Sequence, residues 1–143
     1  MALSDNSCDL RSRLLGRIHE NDIRELCHMI QCCENYSLTE QLYRLMFDAD
    51  KRVSDNAAWL FTHLDAARRQ WLYPKCDELM QEAMHTSSET KCRLLLTLLA
   101  AQPFREENLR TDFLDFCMNR MISSGSPAGI RALCMKLSYL QCK

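Results

Sequence analysis

Apolar residues recur along the chain every three or four positions, the spacing that places them on one face of an α-helix. Leu38, Leu42, Leu45 and Met46 form one such stripe. No segment of useful length alternates between apolar and polar residues as a half-buried β-strand does, so the pattern predicts an all-α protein. Six further stripes repeat it: Leu10, Leu14 and Ile18; Ile23, Leu26, Cys27 and Ile30; Val53, Ala57, Leu60, Phe61 and Leu64; Leu72, Cys76, Leu79, Met80 and Ala83; Leu109, Phe113, Phe116 and Cys117; and Ile130, Leu133, Cys134 and Leu137.

Capping residues and prolines mark the expected ends of these helices. Ser37 with Glu40, and Thr86 with Glu89, have the spacing of a capping box. In that motif a hydroxyl and a carboxylate satisfy free N–H groups at a helix start. Two other positions are expected to set boundaries: Asp48 or Asp50 as the cap before Val53, and Pro74 at a helix start or bend.

The helices repeat as pairs. Alignment of the second helices places Asn56, Arg93 and Arg131 at equivalent positions, 37 and 38 residues apart. Two helices per unit at such a period are typical of an α-solenoid, in which each pair buries its apolar face against its neighbours. The sequence therefore predicts one domain over 1–143. Its helix pairs are expected near 5–34, 36–65, 69–102 and 104–141, and the first helices of the last three near 37–48, 70–84 and 105–122.

Segment 48–64 resembles the second helix of a HEAT repeat. The family pattern Asp-x-Asp-x-x-Val-Arg-x-x-Ala is followed except that Ser54 stands where arginine is usual. The matching residues are Asp48, Asp50, Val53 and Ala57. Parts of 91–140 are similar to small bacterial HEAT-like proteins that have no assigned catalytic role. The resemblance covers about 36–142 and implies a right-handed α-α superhelix of about four antiparallel pairs, whose second helices line a concave side. The competing tetratricopeptide pattern is absent.

Composition and charge narrow the function classes. Apolar residues make up 47% of the chain and charged residues 26%, which predicts a folded core. The net charge of −1 gives no bulk attraction to nucleic acid or anionic lipid. No apolar run is long enough to span a membrane, and the N-terminus lacks the pattern of a secretory signal.

The chain has nine cysteines, an odd number. Five of them fall within the apolar stripes, where a free thiol behaves as a small buried hydrophobe: Cys27, Cys76, Cys92, Cys117 and Cys134. This placement favours a reducing compartment over a disulfide framework. We therefore expect a cytoplasmic protein with no membrane partner.

Candidate catalytic and metal-binding groups are sparse. His28 and Cys32 share a helix face, but a structural zinc site needs four ligands, and no second pair has a suitable spacing. Asp112 and Asp115 share one helix among apolar residues and are expected to be solvated polar positions. No nucleophile elbow or glycine-rich phosphate loop is present. The sequence thus predicts no enzyme, no metal and no cofactor.

The resemblance directs attention to the second helices, whose polar positions are expected to face the concave side. Arginine and tryptophan are common hot spots of protein interfaces. The candidate partner-binding residues are Arg52, Asn56, Trp59, His63, Arg93 and Arg131. The alternative interpretation is that the arginines pair with acidic groups of adjacent repeats and that Trp59 belongs to the core.

Two functions remain open. The first is a non-catalytic interaction or scaffold module that binds an unknown protein or peptide. The alternative is a nucleic-acid-binding protein of the DNA alkylation-repair type, motivated by the basic residues Arg52, Arg93, Arg131 and Lys136. The near-neutral charge and nearby acidic residues make nucleic acid the weaker candidate. Because apolar Leu140 lies close to the last residue, we also expect either a homodimer through the C-terminal helix or a natural chain that continues.

Overall fold

The computed structural model describes residues 10–33, 35–105 and 109–142, which form helices and contain no β-strand. The prediction of an all-α protein is confirmed. The first helix, α1, occupies 10–15 of the described residues. The remaining helices follow in chain order: α2 (Glu20–Gln31), α3 (Ser37–Leu45), α4 (Lys51–Phe61), α5 (Ala66–Leu72), α6 (Cys76–His85), α7 (Glu89–Ala100), α8 (Thr111–Ile122) and α9 (Ala128–Cys142), with a 3₁₀ turn at Tyr73–Lys75 between α5 and α6.

Contacts between helices divide the chain into two compact units, with the boundary between Arg68 and Arg69. In the first unit α3 packs on α4, and α2 contacts both. The predicted stripes supply its core, because one face of each helix is apolar at helical spacing. Its fully buried side chains include Leu10, Leu14, Ile30, Leu42, Met46, Leu60 and Phe61.

The second unit is built from α6 to α9. α8 packs along α9, and α7 lies between α6 and α9. Helix α7 buries seven of its twelve residues and leaves a narrow polar stripe at Glu89, Arg93 and Thr97, which explains why it contacts neighbours on two sides. Its large buried side chains include Leu95, Leu96 and Leu99, together with Leu79, Met80 and Phe113 of the neighbouring helices.

Proline and aspartate set two of the boundaries as predicted. The chain forms the 3₁₀ turn Tyr73–Lys75 at Pro74, where the helix expected over 70–84 is divided into α5 and α6. The Asp50 carboxylate accepts the N–H groups of Arg52 (2.9 Å) and Val53 (3.1 Å) and so caps α4. The starts of α4, α7 and α9 lie 38 and 39 residues apart, in keeping with a repeat period in the high thirties.

Both predicted capping boxes are wrong. Helix α3 begins at Ser37 itself, whose N–H donates to the Asn35 side chain at 3.1 Å. Helix α7 is capped by Ser88, whose hydroxyl accepts the Lys91 N–H at 3.1 Å, while Thr86 accepts the N–H of Ser88. At α7 the neighbouring Ser88 provides the cap in place of Thr86, whereas at α3 the N-cap residue is Tyr36, which provides no side-chain cap.

The helix expected over 105–122 begins only at Thr111. Leu109, the first residue of the predicted apolar stripe, precedes the helix and is 45% exposed. Residues 106–108 lie outside the described part of the chain, as do the first residues of the predicted unit 5–34.

Candidate functional site

Four of the candidate residues lie along one side of α4 in the first unit, and we call Arg52, Asn56, Trp59 and His63 the α4 face. Their spacing of four, three and four positions keeps them on the same side of a helix. Arg52 and His63 are exposed, whereas Asn56 and Trp59 are half-buried. His63 follows the last residue of α4, Phe61, by two positions.

The two aromatic members of the α4 face contact each other. The ring centroids of Trp59 and His63 lie 5.9 Å apart, with an angle of 74° between the ring planes. Edge-to-face packing of this kind stabilises a ring pair beyond the area that it buries. The contact fixes an indole that solvent still reaches.

Asn56, a member of the α4 face, forms hydrogen bonds that stabilise the fold. Its side-chain nitrogen donates to the carbonyl oxygens of Leu14 (2.9 Å) and Gly16 (3.1 Å) at the end of α1. Both donor hydrogens of the amide therefore bind backbone that lies 40 or more residues earlier in the chain. Asn56 holds the loop between α1 and α2 against α4.

This attachment creates a cleft within the first unit. The cleft is open to solvent and has a volume of about 350 Å³. Arg17 from the α1–α2 loop and Arg52 from α4 supply its cationic lining. The other lining residues are Gly16, Ile18 and Asn56. Arg17 was not among the predicted site residues, because it lies in a loop outside the helical stripes.

Carboxylates nearby are committed to other groups. Asp48 accepts Nε (2.9 Å) and Nη2 (3.1 Å) of Arg11, and this bidentate pair is the main reason that the pKa of Asp48 lies below its ordinary value. Glu25 accepts Nη1 of Arg13 at 3.3 Å. Within the described ranges, no carboxylate pairs with Arg17 or Arg52.

The remaining candidates, Arg93 and Arg131, lie in the second unit. The exposed Arg93 of α7 passes over the start of α9, since a Cβ atom at Gly129 would lie 3.6 Å from Arg93 Cδ. Arg131 is two residues further along α9, which is more than half a turn away. Its Nε donates to the carbonyl oxygen of Met121 in α8 at 3.2 Å.

Other arginines of the second unit do pair with acidic groups. Arg120 of α8 reaches Glu89 of α7, with Nη2–carboxylate distances of 3.0 and 3.2 Å. Arg110 binds Asp112 and also donates to the Asp77 carbonyl at 3.2 Å. In the part of the chain that the structure describes, Arg93 and Arg131 form no such ion pair.

The outer face of α9 carries large apolar side chains. Met135 is 60% exposed and Tyr139 is 65% exposed. Arg131, one turn before Met135, and Lys136, directly after it, are also exposed, and α9 contains no acidic residue. Large exposed apolar groups with a cationic border are typical of a surface that contacts another molecule.

Every cysteine that the structure describes is a free thiol. The five cysteines predicted to be buried are at most 8% exposed, which confirms that expectation. Burial raises the pKa of Cys76 and of Cys92 to about 11, so these thiols stay protonated and unreactive at neutral pH. The Cys33 thiol differs, because hydrogen bonds from the Ser37 hydroxyl and from nearby backbone N–H groups lower its pKa.

The His28–Cys32 pair does not belong to a larger ligand set. Cys32 Sγ lies 3.6 Å from His28 Nε2. Over the described ranges, no three His, Cys, Asp or Glu side chains come together as a group that could hold a metal ion. None of the helices in these ranges combines the length and hydrophobicity of a membrane span.

One comparison with known proteins identifies the family. The family model of the HEAT repeat domain matches residues 10–143, which is most of the chain. The chain belongs to the HEAT repeat family. The resemblance noted for 36–142 is thereby confirmed and extends towards the N-terminus. HEAT repeats are helical scaffolds that are typically non-catalytic. No curated protein and no solved structure shows significant similarity to this HEAT repeat protein.

Proposed function

We propose that this HEAT repeat protein is a non-catalytic interaction module that binds a polypeptide through the outward residues of its second helices. The observation that carries the proposal is the α4 face. It combines an arginine without a carboxylate partner among the described residues with a tryptophan that solvent still reaches. These residue types contribute most to protein interfaces, because they join apolar area to directed hydrogen bonds.

The second unit supports the same function. Arg93 lies exposed on α7, and Arg131 lies about one turn before the exposed Met135 on α9. Because α9 has cations and no carboxylate, an acidic polypeptide suits it better than a second copy of the same basic helix. A homodimer through α9 is the competing occupant, and light scattering at high concentration distinguishes it, since an acidic partner requires no self-association.

A cytoplasmic location and a non-enzymatic role belong to this proposal. Free thiols throughout the described helices suit a reducing compartment. The family is typically non-catalytic. The few polar groups that cluster on α4 also suit binding to a partner better than catalysis, because the Asn56 amide already donates its hydrogen bonds to backbone carbonyls.

DNA binding is the second candidate, supported by the exposed Arg52, Arg93, Arg131 and Lys136. A carboxylate lies at the base of the same helical turn as Arg52, since Asp50 caps α4. The phosphate backbone of DNA would come close to this carboxylate and be repelled by it, whereas a single acidic side chain can bind Arg52 without approaching Asp50. Titration with duplex DNA at increasing salt tests the alternative, because affinity that falls steeply with salt would favour nucleic acid over a polypeptide.

The proposed function is tested by selecting peptides from a displayed library against the full chain and measuring the affinity of those recovered. Arg52→Ala should weaken binding about tenfold or more, as loss of an interface arginine does. Arg24→Ala is the matched control, because Arg24 is also exposed in the first unit but does not line the cleft. In the second unit, Arg93→Ala is the cleaner variant, since Arg131 also binds the Met121 carbonyl.

The proposal would be contradicted if the selection recovered no more peptide with this chain than with an unrelated helical protein. Peptides that bind wild type, Arg52→Ala and Arg93→Ala with equal affinity would also contradict it, because the second helices would then not form the binding surface.

A further inference from the structure

The cleft between the α1–α2 loop and α4 is lined by two cationic side chains, and among the described residues neither of them pairs with a carboxylate. Arg17 and Arg52 both line its volume of about 350 Å³. The nearby cations Arg11 and Arg13 differ from them, because each is paired with a carboxylate. An anion placed between the two lining arginines would therefore be attracted by both positive charges.

The walls of this cleft are fixed before any ligand binds. The Asn56 amide ties the Leu14 and Gly16 carbonyls to α4. Ile18, on the same loop, is only 9% exposed and anchors it in the core. A preformed site loses little conformational entropy on binding, so even two exposed arginines can hold a small group there.

We propose that the cleft between Arg17 and Arg52 binds one oxyanion, a carboxylate or phosphoryl group carried by the bound polypeptide. The planar guanidinium group donates two parallel hydrogen bonds to such a group, and two guanidinium groups can share one oxyanion. The inference rests on the proposed function, to which it adds the chemistry of the partner. It commits to a single anionic side chain, because two arginines line the cleft and together they can pair with one oxyanion.

The test uses the full chain, labelled with ¹⁵N, and three small probes observed by NMR at constant ionic strength: O-phosphoserine, capped glutamate and capped glutamine. We expect saturable shifts of the Gly16, Arg17 and Ile18 amides with the two anions, with dissociation constants of roughly millimolar order for probes of this size. Capped glutamine should leave the spectrum unchanged. Comparison of the two anions then shows which oxyanion the cleft prefers.

Arg17→Gln and Arg52→Gln should each weaken anion binding about tenfold, the expected loss of one charged hydrogen-bond donor group. Arg24→Gln should bind as wild type does. Thermal melting of each variant, monitored by circular dichroism, shows that the fold is retained. Shifts that spread over all basic residues and survive Arg52→Gln would overturn the proposal, since they would reflect a general ionic effect.

The two proposals can fail separately. If the selected peptides bind the α4 face but carry no acidic residue and ignore Arg17→Gln, the interaction function stands and the oxyanion site is wrong. If the anions bind in the cleft but no polypeptide binds the chain, the oxyanion site stands as an anion site and the interaction function is wrong.

Discussion

At the scale of the residue, Arg68 illustrates how one side chain can complete a helix end that lies far away in sequence. Its Nη2 atom lies 3.0 Å from the Gln31 carbonyl oxygen and 3.2 Å from that of Cys33, and both carbonyls lie at or beyond the end of α2. The guanidinium also stacks on the Tyr36 ring, 4.7 Å from its centroid. A cation at a helix C-terminus binds free carbonyls and complements the helix dipole.

Arg68→Ala should destabilise the protein by about 2–4 kcal/mol, because it leaves buried carbonyls without donors. Arg68→Lys should recover only part of the lost stability, since an ammonium group cannot donate several hydrogen bonds in one plane as a guanidinium group does. The midpoint of urea denaturation measures both effects. Arg44→Ala serves as control, because Arg44 is exposed and pairs with Glu40 one turn away, and such pairs contribute about 0.5 kcal/mol or less. An Arg68→Ala variant as stable as this control would show that α2 needs no cap.

Asp48 makes the first unit sensitive to acid. Its pKa is lowered from the ordinary value of 3.8, first by the hydrogen bonds from Arg11 and then by the N–H of Asp50. The folded state therefore binds this proton less readily than the unfolded state. The stability that results is present above pH 3.8 and is lost as the pH falls through the lowered pKa.

The variant Arg11→Met removes the cause of this shift. We expect wild type to be more stable than Arg11→Met at pH 6, and the difference to shrink as the pH falls below 3.8. Urea denaturation at a series of pH values measures it. A difference that stays constant over the whole pH range would mean that the ion pair does not stabilise the fold.

At the scale of the element, an ion pair between a buried lysine and a partly exposed glutamate joins α6 to α7. Lys91 Nζ lies 2.5 Å from Glu82 Oε2, and the Lys91 side chain is only 6% exposed. Glu82→Ala should cost about 1–3 kcal/mol, because it removes the carboxylate from a buried ammonium. Lys91→Met should cost less, since it removes the buried charge itself and fills the same space.

Urea denaturation of Glu82→Ala, Lys91→Met and the double variant measures the free energy of unfolding of each and shows which change costs more. If Lys91→Met proves the more destabilising change, the ion pair stabilises α6 and α7 more than an apolar contact would, contrary to this interpretation.

Helix positions could be predicted because the apolar stripes that define them are local and periodic. Ends were harder to predict, since several nearby side chains offer similar caps. At the start of α7, for example, Ser88 caps the helix instead of Thr86. The α4 face could be predicted for the same reason as the helices, because positions 52, 56, 59 and 63 repeat at helical spacing.

Arg17 could not be predicted to join the cleft. It lies in a loop whose position depends on hydrogen bonds from Asn56, about 40 residues later. The role of Arg68 could not be predicted for the same reason, because the carbonyl groups that it binds lie more than 30 residues before it. Contacts between elements therefore decide which polar residues are structural and which remain available for binding.

At the scale of the whole molecule, each compact unit has its own apolar core and presents second-helix residues to solvent. The same helix-pair pattern thus provides both a core and a surface, because the apolar positions pack within a unit and exposed polar positions face solvent. The α4 face is the proposed binding surface of this HEAT repeat protein.

Fluorescence of Trp59 tests this claim most directly. The chain has two tryptophans, so Trp71→Phe leaves Trp59 as the sole reporter. Titration with a peptide selected against the full chain should change the Trp59 emission in a saturable way, and adding Arg52→Ala should shift the midpoint about tenfold or more to higher peptide concentration. Unchanged Trp59 emission, while anisotropy of the labelled peptide reports binding, would contradict the claim and place the binding surface elsewhere.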